Sequence, residues 1–376
     1  MRIAYLVHLN EGPNSGVYKK VVRQVCSWRK LGHTAQLFVI TRNPDVSGGL
    51  RDPGTPIVLS EYASGGLRGA IGRLQAFHQN VKQLLRWQPD IMYYREDAWY
   101  WPVWRAAHKT CMVLEVNSNN LAEMKSGFQI RKSYDWLTRS LCIRAAKGIV
   151  AVSGDLLRDP FLKGISTPHL VLGNGIRLED IPQLPPRPKG GRTRLVFIGQ
   201  PGLRWHGVDK ILLLADIFPE WQFEIIGYTR DQIGEAPPNV RALGTMSHCD
   251  YAKILAESDC AIGSLALYRA GIEEASTLKA REYLAHGLPV IIGGRDTDFP
   301  DGARFLHQLP NGEVDLKDYE GGIRRFVNAW CGQRVPREEI GHLDSEIKEE
   351  SRIAFFKRVA ALPADIRLIG AERQLS

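Results

Sequence analysis

The chain has no CxxC pair, and its six cysteines (26, 111, 142, 249, 260 and 331) stand far apart. That spacing excludes a disulfide framework and a zinc finger, and it matches what a reducing cytoplasm predicts. No apolar run reaches the roughly 20 residues of a membrane span. The opening Met1-Arg-Ile-Ala-Tyr-Leu-Val-His8 turns polar too soon for a signal peptide and reads as a first buried strand. A GxGxxG fingerprint is missing, so the ordinary dinucleotide-binding reading falls away. Repeats and low-complexity tracts are missing too. So are helix-turn-helix, RNP and zinc patterns, and nucleic acid is not an expected partner.

What is present is 376 residues, 44% hydrophobic and 24% charged, an ordinary globular composition. That length exceeds one core and predicts two domains. The net charge of +8 is unevenly spread. Residues 1–180 hold 24 Lys and Arg against 14 Asp and Glu, and residues 181–376 hold 25 against 27. The basic first half points to an anionic partner such as a membrane surface or an acidic lipid-linked substrate.

Strand-like runs alternate with helical periodicity in both halves, the pattern of parallel α/β architecture. Strands are expected at 3–7, 35–40, 91–94, 112–115 and 148–152, with helices at 16–31 and 71–87. After a Pro- and Gly-rich segment the pattern restarts, with strands at 194–198, 223–226, 260–264 and 290–292 and helices at 209–217 and 251–258. The expected division is an N-terminal acceptor-side domain over 1–181, a linker over 182–193 and a C-terminal nucleotide-binding domain over 194–344. A charged helical segment, 345–376, could pack on either domain, the first included. Two doubly wound sheets with a short hinge predict a ligand cleft at strand C-terminal ends.

Three segments carry candidate chemistry. In Glu274-Ala-Ser-Thr-Leu-Lys-Ala-Arg-Glu282 two glutamates flank a Ser/Thr turn that suits a helix N-cap. A helix N-terminus offers free N–H groups to phosphate, while the carboxylates could accept hydrogen bonds from a sugar and a ribose. As continuous helix the eight positions would span about 12 Å. The loop Gly199-Gln-Pro-Gly-Leu-Arg-Trp-His-Gly-Val-Asp-Lys210 supplies Arg204 and Lys210 as cations for a diphosphate, with His206 beside them. After the first strand, the loop ending at Gly16 would bring a third helix start to the cleft. Asn174, in Leu172-Gly-Asn-Gly-Ile176, reads as part of an Asn-Gly turn, capable of left-handed conformation, that holds the hinge.

In order and spacing these segments resemble the retaining GT-B glycosyltransferases of family 4, over nearly the whole chain. Val152-Ser153 and the Gly287-Leu-Pro-Val290 that follows the glutamate pair add to the resemblance. It implies a GT-B fold, with two Rossmann-like doubly wound domains facing a central cleft. It also implies transfer of a sugar from a UDP- or GDP-sugar to a glycan, a polysaccharide or lipid-linked acceptor, without a metal cofactor. By the resemblance, Glu274 meets the donor sugar, Glu282 the ribose, and Ser276, Thr277 and Leu278 the diphosphate through their N–H groups. Gly199, His206, Arg204 and Lys210 complete the donor site, and the enzyme is expected in the cytoplasm, peripheral to the membrane. The chain departs from the family's pattern in three places. Ala275-Ser-Thr277 stands for Gly-Phe-Gly, while Gln200 and His206 stand for an arginine and a lysine. Asn117 and Ser118 stand near a usual histidine; on the acceptor side either could hydrogen-bond a sugar, and neither could act as a base. A nucleotide-sugar 2-epimerase of the same fold and a non-catalytic basic binding protein are the alternative readings.

Overall fold

A computed structural model describes residues 1–13, 15–49, 56–63, 66–117, 129–162, 166–188 and 190–362. Ser118 lies outside the described residues. The chain divides into two compact units, Met1–Leu172 with Glu346–Ser376, and Gly173–Ser345.

Unit 1 holds a parallel sheet of seven strands: β1 (Arg2–His8), β2 (Thr34–Thr41), β3 (Ile57–Glu61), β4 (Ile91–Arg95), β5 (Cys111–Val116), β6 (Gly148–Ala151) and β7 (His169–Val171). Their spatial order is β3-β2-β1-β4-β5-β6-β7. Side chains alternate across it as a two-residue period requires. Ile3, Tyr5 and Val7 enter one core with Trp28, whereas Ala4 and Leu6 enter the other with Phe77. Both faces are covered, so the strands read as nearly continuous apolar runs.

The helix Ser345–Ala360 supplies Ile353, Phe356 and Val359 to the first of these cores. Its Glu349 accepts the indole N–H of Trp28 at 2.6 Å, and Arg352 donates to the Tyr93 hydroxyl at 2.6 Å. The C-terminal helix is thus built into the sheet's cover.

Unit 2 repeats the architecture with six parallel strands: β8 (Arg194–Ile198), β9 (Gln222–Ile226), β10 (Val240–Gly244), β11 (Cys260–Ile262), β13 (Val290–Gly293) and β15 (Leu306–Leu309). Their order is β10-β9-β8-β11-β13-β15, so the winding reverses between β8 and β11. A separate pair joins β12 (Glu274–Ala275) to β14 (Arg295–Asp296). The proline-rich segment 182–193 runs along unit 2. Leu184 N–H donates to His286 O at 3.0 Å, Arg187 pairs with Asp259, and Arg334 donates to Pro185 O at 3.0 Å.

Phe356 is fully buried against Trp28 and Tyr93. Phe356→Ala is expected to cost unit 1 about 3–5 kcal/mol, read as an earlier transition in guanidinium unfolding followed by tryptophan fluorescence.

Candidate active site

In doubly wound sheets the reversal of winding opens a crevice at the strand C-termini. In unit 2 that point is flanked by the loop after β8 and by the chain running from β11 to β12. Backbone hydrogen bonds join the two: Leu265 N–H donates to His206 O at 3.1 Å, and Ala266 N–H to Trp205 O at 3.2 Å.

Glu274 sits on the short strand β12, and the helix Leu278–Ala285 starts four residues later. The two glutamates are therefore carried by different elements, strand then helix, rather than by the continuous helix behind the 12 Å span. Thr277 caps the helix, its hydroxyl accepting Ala280 N–H at 3.4 Å. Among the described residues no acceptor meets the N–H groups of Leu278 and Lys279, which are left unpaired at any helix start. Glu282 accepts the Tyr251 hydroxyl at 2.6 Å, with His248 Nε2 at 3.8 Å. The carboxylate beside Tyr251, after burial, holds that phenol's pKa above its usual value. Tyr283 is buried and accepts the N–H of Ile198 at 2.7 Å, which ties this helix to the end of β8.

Ser276 turns inward. Its Oγ accepts from Asn174 N–H at 2.7 Å and from Arg281 Nη2 at 2.8 Å. Arg281 is fully buried, bidentate to Asp296 at 2.6 and 2.8 Å and paired with Asp298 at 2.7 Å. Asn174 Nδ2 also donates to Ser276 O at 2.5 Å, and Asn174 O accepts from Arg281 Nε at 3.1 Å. Asn174 is therefore a hydrogen-bonding partner of the glutamate segment, not a left-handed turn residue; it is absent from the positive-φ positions. A Cβ on Gly173 would stand 2.2 Å from Asp298 Oδ2, so only glycine lets the chain pass there.

Around the Gly199 loop the basic residues differ in availability. Arg204 is exposed on the 3-10 turn Arg204–His206. Lys210 is buried, its ammonium donating to Gly312 O at 2.6 Å over the Tyr268 ring, and burial lowers its pKa. His206 is buried, and burial with the nearby Lys279 pushes its pKa down to about 3, so the ring is neutral. The Tyr228 hydroxyl donates to Gln200 O at 2.6 Å, so the 3.2 Å contact with His206 Nδ1 is a donation from the ring. His206 therefore braces the loop as a neutral group.

Two residues in this region escaped the sequence reading. Lys279, second in the helix, has its ammonium 4.4 Å from the Phe197 ring centre and 5.7 Å from that of Trp205. That nitrogen is out of solvent contact and without a hydrogen-bond partner. The signal was a cation in a helix's first turn, where the dipole opposes it. Tyr251, in the first turn of the helix His248–Ala256, carried none.

His248, Glu282 and His286 bring ligand atoms within 4.8 Å of one another, and His286 Nε2 is buried without a hydrogen-bond partner. This donor set suits a transition metal, though holding one would draw Glu282 from Tyr251. In unit 1, Gly16 opens the helix Gly16–Lys30 behind a Ser15 cap, and Asn117 Oδ1 accepts from Lys20 Nζ at 2.7 Å.

No protein-family model and no curated protein matches the chain. Solved structures do. The lipopolysaccharide outer core galactosyltransferase WaaB superposes with a TM-score of 0.66 at 15% identity, over 95% of this chain and 100% of that one. HepE of Anabaena in complex with UDP-glucose gives 0.64 at 15% identity, over 96% and 100%. TarM gives 0.66 at 11%, over 96% and 99%. The fold is that of the GT-B glycosyltransferases. Across the described residues no helix is long and apolar enough to cross a membrane.

Removing the Arg281 guanidinium would leave Asp296 and Asp298 buried and uncompensated. Arg281→Met is expected to destabilise unit 2 by roughly 3–5 kcal/mol, measured by chemical denaturation.

Proposed function

We propose that the protein is a retaining glycosyltransferase of the family 4 type. It transfers a hexosyl group from a UDP- or GDP-sugar to a glycan or lipid-linked acceptor, without a metal. The observation that carries this reading is the Glu274–Glu282 segment at the sheet's reversal point, one carboxylate on β12 and the other on a helix whose start has unpaired N–H groups. HepE, of the same fold, is described with UDP-glucose bound, which supports a nucleotide-sugar donor.

Glu274 would take donor-sugar hydroxyls and Glu282 the ribose, releasing Tyr251. The N–H groups of Leu278 and Lys279 would face the diphosphate. The acceptor oxygen attacks the anomeric carbon on the face from which the nucleoside diphosphate leaves. The C1–O bond breaks with its electron pair going to the phosphate oxygen, and that oxygen takes the acceptor's proton. No protein base is required, consistent with Asn117 standing where a histidine is usual. Arg204 is the exposed cation able to approach the leaving group, and Ser276 contributes through its position rather than its hydroxyl. In unit 1 the basic surface suits an anionic membrane face on the cytoplasmic side.

The test is incubation of the protein with UDP- and GDP-sugars, following donor loss and product by NMR. Slow donor hydrolysis without acceptor, insensitive to EDTA, is expected, and a transferred sugar should keep the donor's anomeric configuration. An epimerised donor would instead establish the epimerase. Glu274→Ala is expected to lower turnover by roughly a hundredfold, and transfer at the original rate would remove Glu274 from the site.

A further inference from the structure

Lys279 places an ammonium beside this site out of solvent contact and without a hydrogen-bond partner, which the fold does not explain. Burying an unpaired ammonium is costly, and a helix's positive end adds to the cost. The Phe197 and Trp205 ring faces offset only part of it, since a cation–π contact contributes about 0.5–2 kcal/mol. The lysine reaches from the helix start at Leu278 to Phe197 at the end of β8 and Trp205 in the Gly199 loop. It thus lies between the two elements that present N–H groups and Arg204. The residue beside it, His206, is neutral, and Lys210 is held by Gly312.

We infer that Lys279 is the principal cationic ligand of the donor's diphosphate, filling the charge that His206 and Lys210 do not supply. The inference rests on the donor reading above. With no anion present, burial lowers the Lys279 pKa to about 7; an arriving diphosphate favours the ammonium and draws a proton onto it. Among the described residues the titratable group coupled to it is His206, with Tyr228 behind that ring. His206 stays neutral well below pH 7, and burial holds Tyr228 up at about 12, so neither ionises between pH 7 and 9. Affinity for a diphosphate should therefore fall as pH rises above 7, where the free enzyme's lysine is neutral and must be protonated on binding. A nucleoside without phosphates should show no such fall.

The experiment is calorimetric titration of the full chain with UDP, GDP, uridine and guanosine at pH 7.0, 8.0 and 9.0, for the unaltered protein, Lys279→Met and Lys279→Arg. Lys279→Met should keep or raise the melting temperature, because it removes a buried unpaired charge. It should lose at least tenfold in diphosphate affinity and the fall between pH 7 and 9, with nucleoside binding unchanged. Lys279→Arg should retain affinity within about threefold at pH 7 and flatten the pH dependence. If folded Lys279→Met binds the diphosphate as the unaltered protein does, with the same pH dependence, the inference is overturned and the donor reading survives. If the unaltered protein binds neither diphosphate, the donor reading and this inference fall together.

Discussion

The Arg281 guanidinium organises the site. It is fully buried and donates to Asp296, Asp298, Ser276 Oγ and Asn174 O. Those acceptors belong to β14, the turn after it, the helix cap region and the start of unit 2. A planar donor fork fixes the mutual angles of its acceptors, which an ammonium would not. Because Arg281 immediately precedes Glu282, the same bonds set the rotation of the helix Leu278–Ala285. That rotation decides which way Glu282 points. Glu274 is held by pairing of β12 with β14, whose Asp296 is bonded to the same Arg281. The two carboxylates thus ride on separate elements locked to one cation.

A steric constraint completes the arrangement on the β8 side. Gly227, at the end of β9, has φ +90°, and a Cβ there would stand 1.9 Å from Gly199 O. Only glycine permits that approach. Gly199 in turn lies against His206 Nδ1 and the Phe197 ring, one of the two rings that wall in Lys279. Tyr283 then joins the helix to Ile198 through a single hydrogen bond. Position along the sheet and orientation of the helix are therefore settled by different contacts.

The central strands were legible because burial on both faces makes them continuous apolar runs. Strands β1, β2, β4, β5, β8 and β9 fall within a residue of their expected bounds. β3, β10 and β15 were missed since edge strands bury less and mix in polar residues, as Arg241 and Gln308 do. The helix Gln129–Ala145 was missed as well. In the site, capping by Thr277 followed from residue type and position. The inward turn of Ser276 did not, because it depends on Asn174, which is 102 positions away in sequence. The state of His206 and Lys210 depended on burial in the same way: residue identity names a cation, while packing decides whether it is available.

That last distinction bears on how a basic chain would handle an anionic donor. The formal charge of +8 says little about the site, where one lysine is committed to a carbonyl and one imidazole is neutral. A cation in water meets phosphate with only weak attraction, because solvent screens both. A cation already stripped of water by aromatic walls meets it in a lower dielectric, where the same charges interact several times more strongly. The desolvation of the side chain is borne by the folded state before any ligand arrives, and the proton that charges it is taken up with the ligand. Placing that cation at a helix start adds the N–H groups to its field, so charge and dipole converge on one point. On the Lys279 assignment proposed above, the departures at positions 200 and 206 are matched by positive charge on the helix beside the loop after β8.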